Sequence, residues 1–122
     1  MGYREFSFEG LEVYQAARVL VRDIYRLQQK FPKTEIYALG DQISRSASSV
    51  TSNTAEGSRR NSNKEKVHFI EIAYGSLMEA FSQLQIAQDL GYLTEQDIDT
   101  IRPSFVSVAK MLSGLKKSFE EK

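Results

Sequence analysis

Arg18, Arg22, Arg26 and Lys30 recur every four residues, and Arg45, Arg59, Arg60, Lys64 and Lys66 follow, with Glu65 among the last of them. Positions four apart share a helix face, so the first four form one slowly turning basic stripe. Such a stripe can lie along a phosphate backbone, where clustered Lys and Arg gain affinity by releasing counterions. Structured RNA or another nucleic acid is the ligand this suits, with Arg45, Arg59 and Arg60 assisting. The plain alternative is a solvated face, moderated by Glu12 and Asp23. Catalytic chemistry has less to draw on. His68 is the only histidine and cysteine is absent, so neither a histidine metal cluster nor a Cys-His pair can form, and no metal ligand set is assigned. Glu56 and Glu79 could meet as a carboxylate pair for acid-base work. Yet no Glu-x-x-His pattern accompanies them, and chance pairs are common in a chain with 16 acids. Gly40, Gly57, Gly75, Gly91 and Gly114 are isolated, so there is no phosphate-cradling loop. No catalytic residue and no cofactor are expected.

The elements that must carry these residues are helices. The chain has 122 residues and 16 basic against 16 acidic side chains, of which residues 1–66 hold 11 and 8 and residues 67–122 hold 5 and 8. With 41% hydrophobic and 26% charged residues it has globular composition and can bury a core without a disulfide or metal staple. No run approaches the roughly 18 apolar residues of a membrane span, and Met1-Gly2-Tyr3-Arg4-Glu5 lacks the apolar region of a signal peptide. A cytoplasmic protein with no membrane association is the expectation.

The apolar period is helical throughout, and the spacing predicts four helices over about 11–30, 34–57, 62–90 and 95–119. Phe31-Pro32 closes the first, because the residue before proline is pushed out of the α region. Gly57 reads as a left-handed C-terminal cap of the second, and Gly91 as that of the third. Ser62 to Glu65 reads as a capping box, with a weaker version at Thr94 to Asp97. Pro103 either kinks the last helix or starts it, and the spacing leaves both open. The first ten residues and the tail 120–122 fall outside the helices. Four amphipathic helices with short links make an all-α, antiparallel up-down-up-down four-helix bundle, one domain over 1–122.

Two surfaces exceed what one core needs. The third helix is apolar on a second side, at Ile72, Ile86 and Leu90, which predicts a subunit interface in a homo-oligomer. The second helix reads Ser-Arg-Ser-Ala-Ser-Ser-Val-Thr-Ser over 44–52, a poor helix former. Its hydroxyls either allow a close neighbour and bond within the bundle, or face water.

Three segments resemble a known family. They are Phe31-Pro32 through Glu35, Tyr37 and Leu39 to Gln42-Ile43; Arg45-Ser46-Ala47 through Asn53-Thr54-Ala55-Glu56-Gly57 to Arg59 or Arg60; and Phe69-Ile70 through Ala73, Gly75-Ser76 and Glu79. Together with Leu90-Gly91-Tyr92-Leu93 they cover about residues 9–115. They are similar to small bacterial four-helix bundle proteins related to the 23S rRNA-intervening-sequence proteins and, more distantly, to the accessory variability determinant proteins of diversity-generating retroelements. The resemblance implies a four-helix bundle, often a ring-like homopentamer, and the residue chemistry gives no enzymatic role. In the distant group it implies basic pentamers that bind nucleic acid and a reverse transcriptase. Ser44 departs from the family pattern, where the first of two arginines is usual, and Thr54 stands in place of isoleucine. The net charge of zero also differs from the strongly basic nucleic-acid binders. The signature residues Asn53, Glu56, Gly57, Gly75 and Ser76 have a physical reading too, as packing and hydrogen bonding between helices two and three, with Gly75 allowing close approach. Beyond RNA, the remaining expectation is an adaptor that binds another protein.

Overall fold

A computed structural model describes residues 6–121. A 3-10 turn, Ser7–Gly10, leads into α1 (Glu12–Gln28), the single turn α2 (Lys33–Ile36), α3 (Leu39–Ser58), α4 (Asn63–Asp89) and α5 (Glu95–Glu120). The four long helices form an up-down-up-down bundle in which α3 lies between α1 and α4, and α5 closes the square between α4 and α1. On α4 the core stripe is Ile70, Ala73, Leu77, Ala80, Leu84 and Ala87, alternating three and four residues apart, and its alanines let neighbouring helices approach. Val13, Ala17, Leu20 and Ile24 of α1 meet it, with Ile43, Ala47 and Val50 of α3 and Ile98, Ile101, Phe105, Val108 and Leu112 of α5.

Three boundaries differ from the expectation, and at Pro103 the structure chooses between the two readings left open. The helix expected from Thr34 is interrupted at Tyr37 and Ala38. There Gln28, buried at the end of α1, donates from Nε2 to the Ile36 carbonyl at 2.8 Å and accepts a short hydrogen bond from the Ser44 hydroxyl. This clamp holds the α2–α3 junction against α1. Gly40 makes room for it, since a Cβ there would lie 2.7 Å from Gln28 Cγ. Gly57 is not a left-handed cap: it sits inside α3, and Gly91 (φ +83°) is the positive-φ residue among those described. Around Gly91, the Tyr92 N–H bonds the Ala87 carbonyl and the Gly91 N–H bonds that of Gln88, a Schellman closure of α4. Pro103 does not start a helix, because α5 runs through it from Glu95. The first ten residues are not all outside regular structure, since Ser7–Gly10 form a turn packed on α1 through an edge-to-face contact of Phe8 and Tyr14, whose ring centroids are 4.8 Å apart.

The start of α5 carries a testable charge. Asp97 accepts from the Thr94 N–H at 2.9 Å while the Thr94 hydroxyl accepts from the Asp97 N–H at 3.0 Å. Lys30 reaches across from the end of α1 to Asp97 Oδ1 at 2.5 Å. Burial of the Asp97 carboxyl, 12% exposed, pushes its pKa up, but hydrogen bonds from Lys30 and Thr94 and the lysine charge outweigh this and hold it below the ordinary 3.8. A depressed folded-state pKa contributes stability that is present above the unfolded value and is lost as pH falls through the folded one. Melting temperature should therefore drop as pH is lowered below about 4. Asp97→Asn should flatten that acid limb and cost about 1 kcal/mol at neutral pH, read by circular dichroism melts across pH.

Candidate functional site

The α1 stripe faces away from the core, because Val13, Ala17, Leu20, Ile24 and Gln28 take the inner side of the helix. Arg18, Arg22 and Arg26 are exposed. Asp23 is the carboxylate beside them, 3.6 Å from Arg22 and 3.7 Å from Arg26, long surface pairs that hold little energy. Arg18 donates to Gln15 Oε1 at 3.5 Å, and its Cζ lies 5.9 Å from the Tyr14 ring centroid. Lys30 belongs to the same stripe in sequence but is engaged by Asp97.

The other basic residues do not join this stripe. Arg45, level with the Gln28 end of α1, pairs with Asp41 at 2.7 Å on α3 itself. Arg59 and Arg60 both converge on Glu56 Oε2 at 2.8 Å. The approach is off the hydrogen-bond direction and leaves Glu56 Oε2 and Arg60 Nε buried without a directed bond. Arg60 also lies over Phe69, its Cζ 4.5 Å from the ring centroid. The corner where α3 meets α4 is thus built by Glu56, Arg60, Phe69 and Gly57. A Cβ at Gly57 would stand 3.0 Å from Phe69 Cβ and 3.3 Å from the Lys66 carbonyl.

The hydroxyl run of α3 bonds mostly within the bundle. Ser46 donates to Glu79 at 2.6 Å, and Ser49 and Ser76 share a 2.8 Å bond. Asn53 donates to both the carbonyl and the hydroxyl of Ser49, each at 2.9 Å. This register corrects the carboxylate pair: Glu79 lies beside Ser46, ten residues before Glu56 on α3, about 15 Å along the helix at 1.5 Å per residue. Gly75 is corrected as well. It is exposed, and a Cβ there would meet nothing within 4 Å, so it serves no close approach inside this chain. His68 is exposed and edge-on to Phe69. Among the described residues no three His, Cys, Asp or Glu side chains gather to hold a metal ion, and no helix is long and apolar enough to cross a membrane.

Ile72, Ile86 and Leu90 are 38%, 48% and 54% exposed on the outer side of α4. His68, Ile72, Gly75, Glu79, Ser82 and Ile86 fall four and three residues apart along one outer row of α4, of which Ile72 and Ile86 are the large apolar members. Sequence reasoning missed Gln28, although its place on the apolar stripe of α1 four residues after Ile24 marked it. It also passed over Tyr25 and Tyr37, although both fall off the apolar stripes of their helices, which is where the structure exposes them.

The family described as 23S rRNA-intervening sequence protein matches residues 9–114 of this chain. A solved structure from Bacteroides thetaiotaomicron, described as a protein with unknown function from the S23 ribosomal protein family, is similar in fold. It has a TM-score of 0.78 and 20% identity, and the match covers 86% of this chain and 98% of that one. Among curated proteins nothing matches.

Proposed function

We propose that this chain, which belongs to the 23S rRNA-intervening sequence protein family, acts in the cytoplasm by binding rather than by catalysis, as a homo-oligomer that presents α1 to structured RNA. The carrying observation is the outer face of α1, where Arg18, Arg22 and Arg26 stand exposed against Asp23. Three exposed cations along one helix face suit phosphates spaced along a backbone, and the long contacts to Asp23 leave room for a phosphate to compete. Such contacts hold the ligand without reading sequence, so selectivity comes from RNA shape. Assembly draws on α4: a second copy packed on the seam of Ile72, Gly75 and Ile86 would cover apolar surface that α4 leaves in water, with the mid-helix glycine admitting its backbone. Five copies is the number that the family resemblance suggests.

The experiment is fluorescence polarisation with a labelled structured ribosomal RNA fragment, titrated across salt. Arg22→Glu with Arg26→Glu should lower affinity at least tenfold and make the log–log salt slope shallower by roughly one to two. Unchanged affinity would sink the α1 assignment. The competing reading, a protein adaptor without nucleic acid, draws on the zero net charge and on the pairing of Lys30, Arg45, Arg59 and Arg60 with carboxylates. It is what stands if the parent protein fails to bind RNA even at low salt.

A further inference from the structure

We infer that Tyr25 and Tyr37 form a stacking surface for unpaired bases at the end of the α1 arginine row, so that the RNA taken is one with a single-stranded loop or tail; this rests on the α1 reading above. Tyr37 is 86% exposed and Tyr25 is 47% exposed, and among the described residues neither ring packs on another. The clamp through Gln28 brings them to the same end of the bundle. Tyr37 follows Ile36, whose carbonyl Gln28 holds at 2.8 Å, and Tyr25 precedes Gln28 by three residues, about 4.5 Å along the helix axis. The backbone under Tyr37 is tied down on both sides, by Gln28 to Ile36 and by Ser44 to Gln28, so the ring is offered from a fixed turn and not from a loose loop. Cations surround the pair: Arg22 and Arg26 flank Tyr25, and the exposed Lys33 opens the turn that carries Tyr37.

An exposed aromatic ring with arginines a helical turn away suits the two faces of a single-stranded nucleotide. The ring takes the π-face of a base that is free of a partner, and the guanidinium takes the adjoining phosphate. A fully paired duplex hides its base faces and can use only the cations. The proposed assembly seam does not compete for these rings, because α1 and α4 stand at opposite corners of the square, each flanked by α3 and α5.

Two labelled probes separate the possibilities: an RNA hairpin with a large unpaired loop, and a blunt RNA duplex of the same number of phosphates. The hairpin should bind more tightly, and Tyr25→Ala or Tyr37→Ala should each weaken it roughly tenfold, the 1.4 kcal/mol expected of about one stacked base. Duplex affinity should not move. The chain has six tyrosines and no tryptophan, so the protein's own fluorescence reports tyrosine. The hairpin should quench it, and Tyr25→Phe with Tyr37→Phe should keep the affinity while losing most of the quenching. Equal, salt-dependent binding of both probes with no effect of the alanine variants overturns the stacking surface and leaves the α1 reading intact. Failure of both probes at low salt overturns the two together. A changed molar mass in Tyr37→Ala would assign that ring to a subunit contact and overturn the inference.

Discussion

Gly57→Val should destabilise the bundle by about 1–3 kcal/mol and shift its urea midpoint well below that of the parent. The argument is steric. A bare Cβ at this position already lies 3.0 Å from Phe69 Cβ and 3.3 Å from the Lys66 carbonyl, which is α4 backbone and cannot rotate aside. Valine adds two methyl groups beyond that Cβ near the end of α3, where overpacking costs about 1–3 kcal/mol, only slightly offset by its better helix propensity than glycine. Phe69 cannot yield freely, because Arg60 lies on its ring and Glu56 holds Arg60. Gly57→Ala is the graded control. Its gain in helix propensity, about 1 kcal/mol, works against the same contact, so it should fall between parent and valine variant. A valine variant as stable as the parent would show that α3 and α4 separate easily at this corner. The result also bears on the Asn-x-Ala-Glu-Gly signature, whose glycine and glutamate here join two helices.

Ile72→Glu with Ile86→Glu should reduce the protein to its 13.9 kDa monomer, with helix content unchanged. Both side chains are partly exposed and off the core stripe, so the folded chain tolerates charge at either position. Across a subunit contact the same carboxylates would be buried without partners, and an unpaired buried charge is among the costliest changes an interface can suffer. Sedimentation velocity on parent and variant measures the masses. A parent that is already monomeric, or a double variant that keeps its assembled mass, would exclude the outer face of α4 as the contact. Gly75→Ala sharpens the comparison: with open space around its Cβ it should stabilise the isolated chain by up to about 1 kcal/mol, yet loosen an assembly in which another backbone needs that space.

The four long helices, most of their core and the closure of α4 at Gly91 were legible in the sequence. These features rest on local rules: a 3.6-residue apolar period, a hydroxyl at the N-cap and a glycine with positive φ. The pairing of Arg45 with Asp41, and of Arg59 and Arg60 with Glu56, went unread, because their charge alone made those arginines phosphate ligands, although a local rule predicts it. Those partners stand three or four residues apart, which is contact distance on any helix. What only the tertiary structure decided involves partners distant along the chain. Lys30 looks like one more phosphate ligand until Asp97, 67 residues on, is brought beside it. The helix break at Tyr37 and Ala38 depends on a glutamine from α1. Gly57 looks like a cap until Phe69 and Lys66 of the next helix fill the space where its side chain would be. Gly75 reads in sequence as a point of close helix approach and is exposed instead, with nothing near its Cβ. Sequence spacing determines which side of a helix a residue occupies; only packing determines what lies opposite it, and for charges and glycines that neighbour sets the role.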